Sequence, residues 1–369
     1  MRQHDDLFLD VLSGSFTRQV WVNVYHGSDR VAEDLRLEGW SLEWDLGAKV
    51  TASGSGTIVY ESVAGESLVP VGTKGILSPF RARLELVMEI SAGDFVRRVS
   101  LGLFRVTKVP EARDYTAHVN GKSVVVASRV AVSFLSLEED VRRRGLRSDE
   151  NPPSLASCYN EIRRLTGMPV EETVADASIP ASTTWEAKQD GRLDAVKTLG
   201  EALGGTALVN SAGAWTIVPD EVGDVDGTLQ LGEQGTVLDV GAEIDTDDVY
   251  NVVVGQFEDE NRNPIYAVAV APEGDLDPDG LYGENTRYYS SDFVKTKAQA
   301  ESAVQSILDL SLGSRQYDVQ IQCHVNPLVE LGDVLELAGY SSPLVGQLRK
   351  VSMSDSPYMN VTLRVSRDL

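Results

Sequence analysis

Four histidines, His4, His26, His118 and His324, are the side chains suited to acid–base work near neutral pH. A hydrolase would set one beside a serine or cysteine nucleophile, with a carboxylate to orient the ring. No Gly-x-Ser-x-Gly elbow occurs, His26 runs into a turn at Gly27, and His4 lies in a polar tail read as frayed. Carboxylates are abundant, as in Asp245-Thr-Asp247-Asp248. Glycoside cleavage needs two carboxyls of opposed pKa in one cleft, and the spacing singles out no such pair. Asp275-Leu-Asp277-Pro-Asp279-Gly280 matches the opening half of a calcium loop. The twelfth position is Thr286 where a bidentate Glu is needed, and Glu284 falls two residues early, so an acidic surface turn is the preferred reading. Gly54-Ser-Gly56 lacks the Lys and helix of a phosphate loop, and no Cys/His spacing suits zinc. These patterns assign no catalytic, cofactor or metal residue.

Charge excludes further classes. The chain has 369 residues and a net charge of -23, unevenly spread. Residues 1–150 carry 19 basic against 21 acidic side chains; between Asp220 and Asp292 only Arg262 and Arg287 oppose 19 acids. Stable binding to nucleic acid needs a basic stripe, and an anionic membrane would repel such a chain. Arg142-Arg-Arg144 is the one basic run, and it follows Glu138-Glu-Asp140 as a charge-paired linker. The N-terminus has no secretory pattern, and Ser123–Leu137, the most apolar window, is too short to span a bilayer. Cys158 and Cys323 are expected as buried thiols, not a disulfide.

The elements that position these residues fall into modules. After an extension at 1–15, residues 16–135 read as about seven strands, among them Val20–Tyr25, Leu37–Trp44, Thr51–Tyr60 and Arg83–Ile90, with Val96–Val109 as a pair broken at Gly102. Residues 136–220 read as a small α+β unit. Ser154 caps one helix, Arg192–Leu203 forms another, and a hairpin turns near Ser211-Ala-Gly213. An acidic β-rich connector at 221–292 precedes a helix over Thr296–Leu312 and a further strand module, together 293–369. The fold class is therefore a β-rich α+β multidomain chain: two tube-like β-barrel or sandwich modules with an inserted small α+β domain.

Two stretches in this order carry a resemblance. The first runs from Trp21-Val-Asn-Val-Tyr25 through Val31–Leu35, Leu68–Gly72, Ile76–Phe80 and Leu101–Val106. The second is Asn326-Pro-Leu-Val-Glu-Leu-Gly-Asp-Val-Leu-Glu336. Together with Gly213–Val218 between them, the chain over roughly 16–366 resembles the baseplate-hub (minor tail) proteins of siphophages. The resemblance implies a non-enzymatic structural protein of the virion tail tip, assembled in the host cytoplasm. It implies a homotrimeric ring whose two related barrels per subunit give pseudo-sixfold symmetry. The implied partners are a distal tail protein ring, a tape measure protein and a central fibre or spike, with DNA only passing through. Asp245, Asp247 and Asp248 are then expected at the channel or outer surface, where carboxylates keep DNA from sticking. The competing readings are a cell-wall or glycan hydrolase, and a carbohydrate-binding module using Trp21, Trp40 or Trp44; alternation with apolar neighbours favours core packing for these tryptophans.

Overall fold

The computed structural model describes residues 1–369 apart from 3, 63–64, 233–234, 244–248, 260–261, 273, 292–293, 314–315, 341–342 and 367–369. The chain divides into two compact units. The first comprises Met1–Ile179, Thr184–Val240 and Ile321–Leu363; the second comprises Pro180–Thr183, Gly241–Gln320 and Arg364–Leu369.

In the first unit a short helix, α1 (Asp6–Ser13), is capped by Asp5, whose carboxylate accepts from the Phe8 amide at 2.9 Å. Phe8 and Leu12 are buried, and Phe8 meets Phe95 at 5.5 Å. The tail before it is tied down, since Arg2 donates to the carbonyls of Pro327 and Val329.

Six strands follow: β1 (Thr17–His26), β2 (Asp29–Asp45), β3 (Ala52–Glu61), β4 (Ala82–Ala92), β5 (Phe95–Val119) and β6 (Lys122–Ser136). They pair in the order β1-β4-β5-β6-β3-β2, and β1 also pairs with β2, which closes a barrel. Alternation fixes the inside: Val20, Val22 and Val24 of β1, Leu84, Leu86, Met88 and Ile90 of β4, and Val130, Val132 and Phe134 of β6 are buried. Each such side chain contributes about 1.5–3 kcal/mol. Contrary to the reading of a strand pair over Val96–Val109, β5 is one strand of 25 residues. Gly102 marks a register shift against β4 rather than a turn. The turn lies further on, at Asn120-Gly121, where both residues have positive φ, as a two-residue type I′ hairpin requires.

The inserted unit holds α2 (Glu138–Arg143), α3 (Cys158–Thr166), α4 (Gly191–Ala202) and a hairpin of β7 (Gly205–Val209) and β8 (Trp215–Pro219). Its core joins Tyr159, Ile162, Leu193, Val196, Leu199 and Trp215. The cap of α3 is Ser157, not Ser154: its hydroxyl accepts from the Asn160 amide at 3.1 Å. The acid–arginine run read as a linker is the helix α2, its Glu139 holding Arg142 and Arg143 at 2.5 and 2.6 Å.

The next strands in the chain are β9 (Gly227–Gln230) and β10 (Val237–Glu243). In the second unit β11 (Val252–Glu258) lies between β12 (Pro264–Val270) and β13 (Thr286–Tyr289). One face of this sheet is covered by α5 (Lys297–Gly313), through Val253, Phe257 and Ala269 against Ala300, Val304 and Leu308. The chain ends with β14 (Gln316–His324), β15 (Val334–Ala338), β16 (Leu344–Ser354) and β17 (Tyr358–Ser366).

The later strands repeat the earlier ones. They pair in the order β9-β15-β16-β17-β14-β10. Ranked along the chain within each set of six, both sets run 1-4-5-6-3-2. Thus β10 corresponds to β2, β14 to β3, and β16 to β5. Two differences remain: β9 is parallel to β15 where β1 is antiparallel to β4, and only the first set, among the described residues, shows the closing pair. The sets join edge to edge where Ser41–Asp45 of β2 pairs antiparallel with Lys350–Ser354 of β16.

Candidate functional site: the barrel junction and its hydroxyl face

The β2–β16 junction makes one continuous run of strands, β1-β4-β5-β6-β3-β2-β16-β17-β14-β10, from two separate sets. At the seam Lys350 of β16 reaches Glu43 at 2.9 Å and Asp45 at 3.5 Å on β2. Both partners are partly exposed, so this pair selects register more than it adds stability.

Beside the seam the outward residues are small and hydroxylated. Register places Ser354, Ser41, Ser55 and Ser133 in a row across β16, β2, β3 and β6. The adjacent row holds Ser352, Glu43 and Ser53. The Ser41 and Ser55 hydroxyls meet at 3.2 Å, and Thr107 donates to the Ser133 carbonyl at 3.1 Å. Gly54-Ser-Gly56 lies within β3, and its glycines answer to close approach. A Cβ on Gly54 would stand 2.5 Å from the Phe134 ring and 2.6 Å from the Ser41 carbonyl. Arginines on the neighbouring strands are matched, Arg36 and Arg129 both pairing with Glu38 at 3.3 and 3.0 Å. Such a face offers weak hydroxyl partners and no stripe of positive charge, so it does not grip a polyanion.

Under the barrel, a buried polar cluster ties the inserted unit to it. The Glu138 carboxylate accepts from the Thr51 amide at 2.8 Å, the Thr51 hydroxyl at 2.5 Å and the Val209 amide at 3.1 Å. Lys197 stands 3.9 Å away; burial pushes its pKa below the usual lysine value, and Glu138 opposes the shift. Asp140 bridges Arg83 and Arg105 of the barrel at 2.7 and 2.6 Å. Burial pulls the Glu139 carboxyl upward, but Arg142 and Arg143 outweigh it and hold the group below the usual carboxylate range.

A cavity of about 270 Å³ near this cluster is lined by Trp44, Thr51, Glu171, Asn210, Glu330 and Asp333, among others. Its carboxylates are engaged. Glu171 accepts from Asn210 at 2.8 Å, Glu330 from Ser211 at 2.7 Å, and Asp333 holds the Met1 amino group at 2.6 Å. They are spent on joining segments.

The residues singled out in the sequence are scattered. His26 contacts the Ile76 carbonyl at 2.9 Å, His324 packs edge-on to Tyr358, and His118 meets Ser123 at 3.3 Å on the exposed β5–β6 hairpin. Trp40 is buried and Trp21 and Trp44 half-buried; Arg98 covers Trp21. Both cysteines are buried and free, and desolvation pushes the Cys158 thiol up to about 11 and Cys323 up to about 12. Asp277 of the calcium-like loop turns its own oxygen to the Asp279 amide at 3.0 Å. Among the described residues no three His, Cys, Asp or Glu side chains gather as a metal site. Asp245, Asp247 and Asp248 lie outside the described residues. No helix among the described residues is long and apolar enough to cross a membrane.

No family model matches the chain, and no curated protein matches it by sequence. Solved structures do match over nearly its full length. A tail protein from Neisseria meningitidis MC58 superposes with TM-score 0.58 at 11% identity, over 95% of this chain and 97% of that one. The chain has the fold of phage tail proteins. The 43 kDa tail protein of prophage MuSo2 from Shewanella oneidensis gives TM-score 0.57 at 10% identity, over 94% of this chain and 98% of that one. A chain of the Francisella PdpA–VgrG complex gives 0.52 at 9% identity, over 98% of this chain and 61% of that one. The tail-hub resemblance drawn from the sequence thus agrees in fold.

The seam itself escaped the sequence reading. Nothing local in Ser41–Asp45 announces a partner 305 positions away at Lys350. The length of β5 did leave a signal, the Asn120-Gly121 dipeptide between two apolar-alternating stretches.

Proposed function

We propose that this protein is a structural, non-enzymatic component of the phage tail tip, acting as a baseplate hub. Three copies form a ring, and each contributes two six-stranded sets, so six similar lobes surround a central opening. Such a ring matches a sixfold tail tube and distal tail protein on one side and a threefold fibre or spike on the other. A tape measure protein and then DNA pass through it. The observation that carries the reading is the internal repeat: two sets with the same strand order, already joined edge to edge within one chain. The hydroxyl face beside the seam supports a lining role, because the cations nearest it, Lys350, Arg36 and Arg129, are each held by a carboxylate. Asp245, Asp247 and Asp248 belong to this proposal as acids of the channel or outer surface. Imaging of the purified assembly tests it: class averages should show threefold rings with six near-equal lobes and a hole. Compact particles without a hole, or clearing of host cell walls in a zymogram, would refute the hub reading.

A further inference from the structure

Although the chain is acidic, one of its concave regions is lined mainly by cations. This is a cleft of about 690 Å³ in the inserted unit, between the end of α2 and the turn that leads into α4. Arg142, Arg143, Arg147 and Lys188 line it, against two acids, Glu139 and Asp190. Its walls are fixed by the fold. The amides of Glu150 and Trp185 donate to each other's carbonyls at 3.0 and 2.8 Å, and the Ala187 amide donates to Asp149 at 2.7 Å. Gly145 lies so near the facing wall that a Cβ there would stand 3.3 Å from the Lys188 carbonyl.

The two acids are already shared between cations. Glu139 is buried and accepts from Nε of both Arg142 and Arg143, at 2.5 and 2.6 Å. Asp190 holds Lys49 at 2.9 Å and faces Arg142 at 3.9 Å. The terminal nitrogens of Arg143 have no hydrogen-bond partner among the described residues. Arg147 is exposed and has no polar partner at all among them. Lys188 has only longer contacts, with Asp194 at 3.3 Å and Glu186 at 3.6 Å.

We propose that this cleft binds phosphate, with Arg143 and Arg147 as the main donors and Lys188 as a third. A guanidinium presents parallel N–H bonds that fit an oxyanion, and its charge strengthens them. The lining has two more cations than acids. One dianionic phosphate matches that excess, as do two successive phosphodiesters of a polymer, whereas a single carboxylate does not. Glu139 holds the Nε edges of Arg142 and Arg143, so their remaining N–H groups need little ordering when a ligand arrives. The cations gather in one cleft and form no stripe, so a duplex finds no run of contacts here. All of these residues belong to the first compact unit, and the site does not depend on the ring reading.

The test uses the full chain. Phosphorus NMR of inorganic phosphate, at ionic strength held constant with chloride, should show binding in the millimolar range. Arg143→Gln/Arg147→Gln should weaken it about tenfold, and Lys188→Gln by a smaller factor. Arg98→Gln, on a barrel strand outside the cleft, should leave it unaltered. Urea midpoints check that each variant folds; should the double variant be destabilised, Arg147→Gln alone carries the test, because that side chain has no partner to lose. An oligomer of glycerol phosphate titrated in parallel reads the source. Tighter binding per phosphate than the free anion gives a polymer, and equal or weaker binding gives free phosphate. Absence of binding by both probes at millimolar concentration, or binding that loss of the arginines leaves unaltered, overturns the site.

Discussion

Glu138 has a fully buried side chain, and it meets the barrel through Thr51, the inserted hairpin through Val209, and Lys197 of α4. Removing it leaves the half-buried Lys197 with only the Ala207 carbonyl as partner and takes the acceptor from Thr51 and Val209. Glu138→Ala should therefore cost about 3–5 kcal/mol in urea denaturation, with Glu138→Gln losing less because it keeps the acceptor. A destabilisation below about 1 kcal/mol would show that water replaces the carboxylate. In sequence, Glu138-Glu-Asp140 before three arginines read as a charge-paired linker; nothing in the residue types distinguishes a buried acid from an exposed one. What makes the difference is the barrel beneath, which supplies Thr51, Arg83 and Arg105 from far along the chain.

Strands were the legible elements. The alternation in Val20–Tyr25 and Arg83–Ile90 marks β1 and β4, because a half-buried strand leaves its period in the sequence. Helix ends were less so. Ser154 and Ser157 are both competent caps, and Ser157 prevails because starting there buries Cys158, Tyr159, Ile162 and Leu165 together. Gly54 shows where an element depends on what lies over it, since the Phe134 ring of β6 occupies the space of a side chain. Gly54→Val should thus overpack β3 against β6 and lower stability by about 1–3 kcal/mol. A thermal melt within experimental error of the parent would mean that Phe134 turns aside freely.

For the whole molecule, the sequence placed β modules before and after an α+β insertion, while the repeated strand order became visible only through pairing. Order within a sheet depends on edges meeting across hundreds of residues, and a single chain's local pattern does not encode it. The net charge of -23 also acts at this scale. In the proposed ring such copies would repel one another, and a negative surround would keep a passing polyanion in motion. Neutralising Asp245, Asp247 and Asp248 to Asn should then slow DNA ejection in a fluorescence assay on intact particles; unaltered kinetics would separate these acids from the channel.

The seam between Asp45 and Lys350 also has a consequence in time. The first barrel can close on itself through β1 and β2 as soon as residue 136 has been made. The second half of β2 must then wait for β16, at ribosomal speeds on the order of ten seconds or more. During that interval a nascent chain shows its neighbours the uncovered edge of Ser41–Asp45. Chains made on one messenger could capture each other too early, and the order of synthesis, not the stability of the finished ring, would then limit the yield of well-formed tails.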